Sequence, residues 1–182
     1  SSLFCGCTGI EKIDIPDTVT IIQDYAFKEC KNLSTVNIPE SVTEIGSKAF
    51  YECISLSNVN IPDSVTKIGG YAFYQCKNLV NVILSKNLEK IDCNAFGNCD
   101  GLTQIEIPKS LDVGGDYYSG AFADCANLKK VTFERGTTKI ASSLLCGCTG
   151  IEKIDIPDTV TVIQDYAFKE CKNLSTVNIP EN

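Results

Sequence analysis

Apolar side chains recur along this chain with a fixed period. An Ala-Phe pair followed three residues later by Cys appears in most repeats, as at Phe27 and Phe50. Successive aromatic positions are 23 residues apart, except that Phe96 and Phe122 are separated by 26, which indicates a three-residue insertion. The column has eight registers, namely Phe4, Phe27, Phe50, Phe73, Phe96, Phe122, Leu145 and Phe168. A period of this length predicts a protein built from stacked structural repeats.

Each repeat contains one segment with the alternation of a half-buried strand. Residues 33–38 and 56–61 both read Leu-x-x-Val-x-Ile, with β-branched side chains two positions apart. Pro39 and Pro62 follow these segments and end the pairing, because proline has no N–H to donate. Two further apolar residues, such as Val42 and Ile45, follow each proline and predict a return leg that can form a second short strand.

The Ala-Phe segment predicts a short helical turn. A side chain or Gly typical of a helix N-cap precedes it at Ser1, Asp24, Ser47, Gly70, Cys93, Ser119, Ser142 and Asp165. A residue tolerant of the left-handed conformation follows each Cys position, in most repeats Gly or Asn, at Gly9, Asn32, Ser55, Asn78, Gly101, Asn127, Gly150 and Asn173. We therefore expect a helix that begins and ends within each repeat.

A single repeat does not bury enough surface to fold alone. Its apolar side chains contribute on the order of 10 to 20 kcal/mol, whereas ordering about 23 residues costs about 1.5 kcal/mol each. Stacking lets each repeat bury both flanks, and eight strands about 4.8 Å apart form a sheet roughly 35 to 40 Å long. We expect an α/β solenoid of about eight repeats, each with one parallel strand and a short helical turn, forming one domain over residues 1–182.

The composition excludes several classes of function. A net charge of -7 and a pI near 4.6 repel phosphate, so nucleic acid is not an expected partner. The sequence has no His, Met or Trp, which removes the commonest general base and nitrogen metal ligand. Its longest apolar stretch, residues 79–84, is far shorter than the roughly 20 residues that span a bilayer.

No catalytic constellation is visible in the sequence. The strand carboxylates Asp14, Glu106 and Asp155 show no paired acid at the spacing that glycoside hydrolysis requires. We expect no enzyme activity, no cofactor, no metal site and no insertion into a membrane.

The residues flanking the buried position of each strand form the candidate binding surface. They should point to solvent from the concave side of the sheet. They are Lys12, Asp14, Thr35, Asn37, Asn58, Asn60, Asn81, Ile83, Gln104, Glu106, Lys130, Thr132, Lys153 and Asp155, followed by Thr176 and Asn178. Solenoids commonly bind through such faces, so we predict a protein partner, with a solvated face without a partner as the alternative. These columns contain no aromatic residue, which argues against a glycan.

The insertion at residues 112–119 is a second candidate site. It contains Tyr117 and Tyr118 beside a pair of glycines. Two adjacent tyrosines in a loop are suitable anchors for a partner. The alternative is a tolerated bulge whose rings pack on the solenoid. Tyr25, Tyr71 and Tyr166 share one column and are expected to be exposed packing residues.

The cysteines are expected to be buried free thiols. One column contains Cys7, Cys30, Cys53, Cys76, Cys99, Cys125, Cys148 and Cys171. Stacked equivalents have Cβ atoms about 4.8 Å apart, beyond the roughly 3.5 to 4.5 Å of a disulfide. Cys93 occupies a predicted N-cap, where a thiol pKa can fall, but it has no visible activating base. Cys5 and Cys146 are expected to be partly exposed.

The residues from Leu33 to Cys53 read L-x-x-V-x-I-P-x-S-V-T-x-I-G-x-x-A-F-x-x-C. This motif resembles the BspA-like, or treponemal-type, leucine-rich repeats, and the resemblance covers the whole chain. It implies a right-handed leucine-rich-repeat solenoid from a surface-exposed protein of an anaerobic bacterium or parasitic protist, a group linked to adhesion to host matrix proteins and other cells. The chain departs from the motif where Ser85 and Glu134 replace Pro, and where Gly136-Thr137 replaces the return-leg Val.

We therefore expect a non-catalytic adhesion or protein-interaction module of an extracellular cell-surface protein. Its partner would be a host matrix protein or another cell-surface protein. The alternative is a structural spacer or stalk that carries other domains without a specific ligand. Residues 1–40 and 142–181 differ only at Phe4/Leu145 and Ile21/Val162, and neither end has a polar cap, so we expect a fragment of a longer array.

Overall fold

The chain winds as a parallel β-solenoid in a computed structural model that describes residues 3–109, 111–113 and 119–179. Each turn contributes a long strand of three or four residues and, in most turns, a return strand of two. The long strands are β1 (Lys12–Asp14), β3 (Thr35–Asn37), β5 (Asn58–Asn60), β7 (Asn81–Ile83), β9 (Gln104–Ile107), β11 (Lys130–Phe133), β13 (Lys153–Asp155) and β15 (Thr176–Asn178). The return strands are β2 (Ile21–Ile22), β4 (Glu44–Ile45), β6 (Lys67–Ile68), β8 (Lys90–Ile91), β10 (Asp112–Val113), β12 (Lys139–Ile140) and β14 (Val162–Ile163).

Strands pair with their own equivalents one repeat away, in parallel register. Ile13 lies opposite Val36, and Val59 lies opposite Val82. The return strands form a second series, in which β10, β8, β6, β4 and β2 are consecutive neighbours. The strands predicted from the alternation are therefore confirmed, as is the second short strand of the return leg.

The eight registers of the sequence form about seven turns, so the predicted count of eight repeats is not confirmed. Eight equivalent positions bound seven intervals. The described part of the last register contains β15 but no return strand.

The predicted helical turn is wrong. Residues 3–109, 111–113 and 119–179 contain strands and turns but no helix, so the chain is a β-solenoid and the α/β class does not hold. In the Ala-Phe segment, Phe27 N donates to Ala49 O at 2.8 Å and Glu29 N donates to Tyr51 O at 2.7 Å, both in the next turn. Tyr25 and Glu29 have φ angles of 61° and 59°. A right-handed helix does not admit this left-handed backbone.

The predicted capping residues bond between turns instead of within one. Asp24 Oδ1 accepts a hydrogen bond from Ser47 N, its own equivalent one turn later, at 2.7 Å. None of the eight predicted left-handed stops, all of which are described, has a positive φ. Asn32 in that column instead donates from Nδ2 to Thr8 O of the preceding turn at 2.7 Å. Gly101 fits there because a Cβ would lie 2.9 Å from Leu79 O.

The interior is organised as columns of like side chains. The rings from Phe4 to Phe122 stack with centroids 4.8 to 5.5 Å apart and planes within 16° of parallel. Phe50, Phe73, Phe96 and Phe122 are fully buried. Their spacing matches the separation of neighbouring strands, because each turn repeats the same backbone path.

Every column cysteine after Cys7 donates its thiol to the preceding turn, and Cys7 itself is only partly buried. Cys53 Sγ lies 3.2 Å from Phe27 O, and Cys76 Sγ lies 3.3 Å from Phe50 O. The same bond, at 3.0 to 3.3 Å, is made by Cys30, Cys53, Cys76, Cys99, Cys125, Cys148 and Cys171. All eleven cysteines are free thiols, in agreement with the sequence-based expectation. Cysteine is therefore both a small buried apolar side chain and a weak donor in this column.

Replacing one ring of the aromatic stack should distinguish the contribution of side-chain volume to stability from that of aromatic stacking. We expect Phe73→Ala to lower the free energy of unfolding by about 3 to 5 kcal/mol, because it leaves a cavity in the stack. Phe73→Leu should cost clearly less, because Leu145 occupies the same column fully buried. Urea denaturation of both variants measures the difference, and equal losses would contradict this account of the column.

The thiol column should make stability depend on alkaline pH. Burial raises the pKa of Cys53 to about 12 and that of Cys171 to about 11, from an ordinary value of 9.0. Since the folded-state pKa is raised, the stabilisation is complete below pH about 9 and is lost as the pH rises towards about 12. Urea midpoints measured in reductant should fall over this range. Cys53→Ala should show a shallower fall than the parent chain, and an unchanged slope would refute the assignment to this thiol.

Candidate binding face

The outward side chains of the eight long strands form one surface, which we call the long-strand face. All fourteen residues predicted to bind a partner are exposed there, two on each strand from β1 to β13. Thr176 and Asn178 continue the surface on β15 and are exposed as well. The central residue is buried in every long strand from β3 to β13, with Val59 2% and Ile105 4% exposed, whereas Val177 of β15 is 43% exposed. The structure thus brings the predicted columns together on one side of the sheet.

The charged side chains of the long-strand face lie on β1, β9, β11 and β13. Lys12 Nζ lies 3.0 Å from Asp14 Oδ2 on β1, and Lys153 Nζ lies 3.0 Å from Asp155 Oδ1 on β13. Asn178 Nδ2 also donates to Asp155 Oδ1, at 2.6 Å. The hydrogen bonds from Lys153 and Asn178 hold the pKa of Asp155 below its ordinary value. The strands between them present mainly amide and hydroxyl side chains, namely Thr35, Asn37, Asn58, Asn60 and Asn81.

The ladder of long strands is interrupted at two places. Within the described residues, β7 does not pair with β9, and β11 does not pair with β13. A cleft of about 460 Å³ lies at the first interruption and is lined by residues of β7, β9 and β11. A second cleft, of about 480 Å³, lies between β11 and β13. Both clefts open on the long-strand face, among the residues predicted to bind.

Ile83 is distinctive among the outward residues. Its side chain is 54% exposed and lines the first cleft beside Asn81 and Gln104. The equivalent residues of the two preceding turns are Asn37 and Asn60. The sequence contained the signal, since Ile83 is the one apolar residue in the outward columns, but it did not indicate the cleft.

A cluster of tyrosines surrounds Lys48 on the Ala-Phe turns. Lys48 Nζ lies 5.7, 6.0 and 5.5 Å from the ring centroids of Tyr25, Tyr51 and Tyr71. Tyr51 stacks on Tyr74 at 5.4 Å, and Tyr71 meets Tyr74 edge to face at 5.3 Å. Desolvation and a hydrogen bond to Glu52 raise the pKa of Tyr51. We call Tyr25, Lys48, Tyr51, Tyr71 and Tyr74 the tyrosine cluster.

The three tyrosines predicted to be exposed differ in their surroundings. Tyr25 and Tyr166 are exposed, as predicted, whereas Tyr71 is half-buried against Tyr74. Tyr117 and Tyr118, the predicted loop anchors, lie outside the described residues.

The three cysteines singled out from the sequence also differ. Cys5 is exposed, as predicted, whereas Cys146 is buried, which makes that prediction wrong. The two lie in the same sequence context, but Cys146 has a turn on each side and Cys5 belongs to the first turn. Cys93 is half-buried, and no helix begins there, so the helix-terminus argument for a lowered pKa does not apply.

Two features are absent from the described residues, a cluster of metal-ligating side chains and a helix that could span a membrane. They contain no group of three or more His, Cys, Asp or Glu side chains placed to hold a metal. Within the same residues, no helix is long and apolar enough to cross a bilayer.

A parallel solenoid with one short strand and a return leg per 23 residues defines a class, the leucine-rich repeat proteins. The BspA type leucine rich repeat region matches residues 1–119 and 118–182 in six copies. The chain therefore belongs to the BspA-type leucine-rich repeat family, as the resemblance of its motif implied. This is a repeat family whose solenoid typically serves as a non-catalytic scaffold. None of the curated proteins matches the chain significantly.

Solved structures of bacterial leucine-rich repeat proteins are similar to this chain. One from Bacteroides ovatus is 34% identical with a TM-score of 0.79, over 93% of this chain and 45% of that one. One from T. pallidum is 27% identical with a TM-score of 0.76, over 91% of this chain and 78% of that one. A leucine rich cell surface protein from Faecalibacterium prausnitzii is 28% identical with a TM-score of 0.52, over 99% and 56%. The chain spans less than half of the Bacteroides ovatus protein.

The tyrosine cluster should contribute measurably to stability. We expect Lys48→Gln to lower the free energy of unfolding by about 0.5 to 1 kcal/mol, because it removes a cation held over three rings. Lys48→Arg should retain most of it, since a guanidinium also stacks on aromatic faces. The exposed Lys31→Gln makes the same change of charge away from the rings and serves as the control in urea denaturation. Equal losses in Lys48→Gln and Lys31→Gln would contradict a specific role for the rings.

Proposed function

We propose that this chain is a non-catalytic module that binds a partner protein through the long-strand face. The observation that carries the proposal is a continuous set of exposed, mostly polar side chains on eight strands, six of which place the intervening residue in the core. Solenoids use extended surfaces of this kind for recognition. One hydrophobic cluster extends from Ile15 to Cys171, which supports treating residues 1–182 as one rigid binding domain.

The partner in this proposal is a host matrix protein or another cell-surface protein, and the module is extracellular. The naming of a similar Faecalibacterium prausnitzii protein as a cell surface protein supports this location. The net charge of -7 disfavours a nucleic acid. The absence of aromatic side chains from the outward columns disfavours a glycan on this face.

Charge substitutions on the long-strand face test the proposal. The combined variant Asn58→Lys, Asn60→Lys and Asn81→Lys changes three exposed amides in the middle of the face. We expect it to lose binding to those members of a panel of immobilised extracellular matrix proteins and intact cells that bind the parent chain. Surface plasmon resonance and cell-binding counts provide the measurement. The physical reason is that three long, charged side chains replace short amides and have to be desolvated when the face is covered.

The matched control places the same charge elsewhere on the solenoid. Thr18→Lys, Thr20→Lys and Thr43→Lys lie on exposed return-leg positions and should leave binding unchanged. A parent chain that binds no member of the panel would favour a spacer. Equal loss in both triple variants would show that net charge, not the long-strand face, determines binding.

A further inference from the structure

We propose that the cleft at the interruption between β7 and β9 is a docking site for an acidic, extended peptide segment that places one apolar side chain against Ile83. This inference rests on the proposed function and narrows it to one place on the long-strand face and one chemistry of partner.

The shape of the cleft selects an extended segment. It has a volume of about 460 Å³ and is lined from three successive turns, by Asn81 of β7, Gln104 of β9 and Thr132 of β11. Cavities of several hundred Å³ enclose a drug-sized ligand, not a folded domain. Even at the spacing of paired strands, three strands span about 10 Å, so the interrupted ladder spans at least the length of about three residues of extended chain. A partner therefore reaches this cleft with a short stretch of extended backbone laid across the strands.

Ile83 provides the apolar contact in the cleft. It is 54% exposed on a surface whose other outward residues are polar. Covering an exposed aliphatic side chain of this size contributes up to about 1.5 to 3 kcal/mol. Binding energy at interfaces concentrates in such buried anchors surrounded by polar contacts that exclude water. The polar neighbours here are the amides of Asn81 and Gln104.

The charges around the cleft favour an acidic partner. The Glu134 carboxylate is already paired with Lys109, since Lys109 Nζ lies 3.6 Å from its Oε1 and Lys109 N donates to its Oε2 at 3.0 Å. Lys86 and Lys130 also line the cleft, and among the described residues neither Nζ lies within 4.0 Å of a carboxylate oxygen; Asp63, which accepts from Lys86 N at 2.9 Å, does not line the cleft. Glu106 is the one lining carboxylate that has no such cation among the described residues. Two available ammonium groups against one carboxylate make this a locally positive place on a chain of net charge -7.

The experiment uses random linear peptides displayed on phage and selected on the immobilised 182-residue chain, followed by affinity measurement of the enriched peptides by fluorescence anisotropy. We expect enriched peptides to combine an apolar residue with neighbouring Asp or Glu. Ile83→Asn should raise their Kd at least about tenfold. This substitution installs the residue found at the equivalent positions Asn37 and Asn60, so the variant is expected to fold. Lys86→Gln combined with Lys130→Gln should weaken binding and flatten its dependence on salt.

The matched control is Val80→Ser. Val80 is 51% exposed but does not line the cleft, and Ser34 and Ser57 occupy its equivalent positions. Loss of affinity in Ile83→Asn with no change in Val80→Ser supports the proposal. Peptides that bind Ile83→Asn and the parent chain equally overturn the docking site and leave the proposed function standing. Failure to enrich any peptide, or enrichment of basic peptides, also overturns the docking site, whereas the matrix-protein panel decides the proposed function separately.

Discussion

Hydrogen bonding between equivalent backbone positions of successive turns constrains everything else in this solenoid. The long strands, the return strands and the Ala-Phe turns all bond to neighbouring turns: Phe27 N donates to Ala49 O of the next turn, and Gly46 N donates to Ile22 O of the preceding one. Each residue therefore has its own counterpart as its neighbour, about one strand spacing away. Side chains are forced into columns of one kind, with Phe on Phe and most Cys thiols of the column on the carbonyl of a Phe. The repetition of the sequence is the consequence, because a residue that suits one turn also has to suit the turns above and below it.

The same constraint explains why a segment with the composition of a helix forms none. Among the residues that the structure describes, twelve other than Gly adopt the left-handed conformation, including Tyr25 and Glu29. Such a residue costs roughly 1 to 2 kcal/mol. The cost is offset because the local turn directs alternate N–H groups at the neighbouring turn, where Tyr25 N finds Ser47 O at 3.0 Å and Glu29 N finds Tyr51 O at 2.7 Å. In a helix, those groups would bond within their own turn and the stack would lose a ladder.

This division between local and inter-turn forces also marks what the sequence can predict. The period, the strands, the buried columns and the exposure of all fourteen outward residues follow from a two-residue alternation within each repeat, and these predictions were confirmed. The predictions of a helical turn and its caps were wrong. Asp24 and Asn32 are residue types favoured at helix ends, but here their side chains bond to another turn. The prediction that Cys146 is partly exposed was wrong, because burial depends on neighbouring turns and not on the local C-G-C sequence. The clefts could not be predicted from the sequence for a related reason. Whether β7 pairs with β9 depends on two turns together, and the sequence of a single repeat does not determine it.

The alternation of exposed and buried residues along each long strand has a practical consequence. In β5, Asn58 and Asn60 face water while Val59 lies in the core, so the two outward positions take no part in the packing that holds the turns together. The two outward positions, where we propose that a partner binds, are thus separate from the central position that stabilises the stack. Natural or laboratory selection can therefore vary the outward residues over many turns without disturbing the packing of the core.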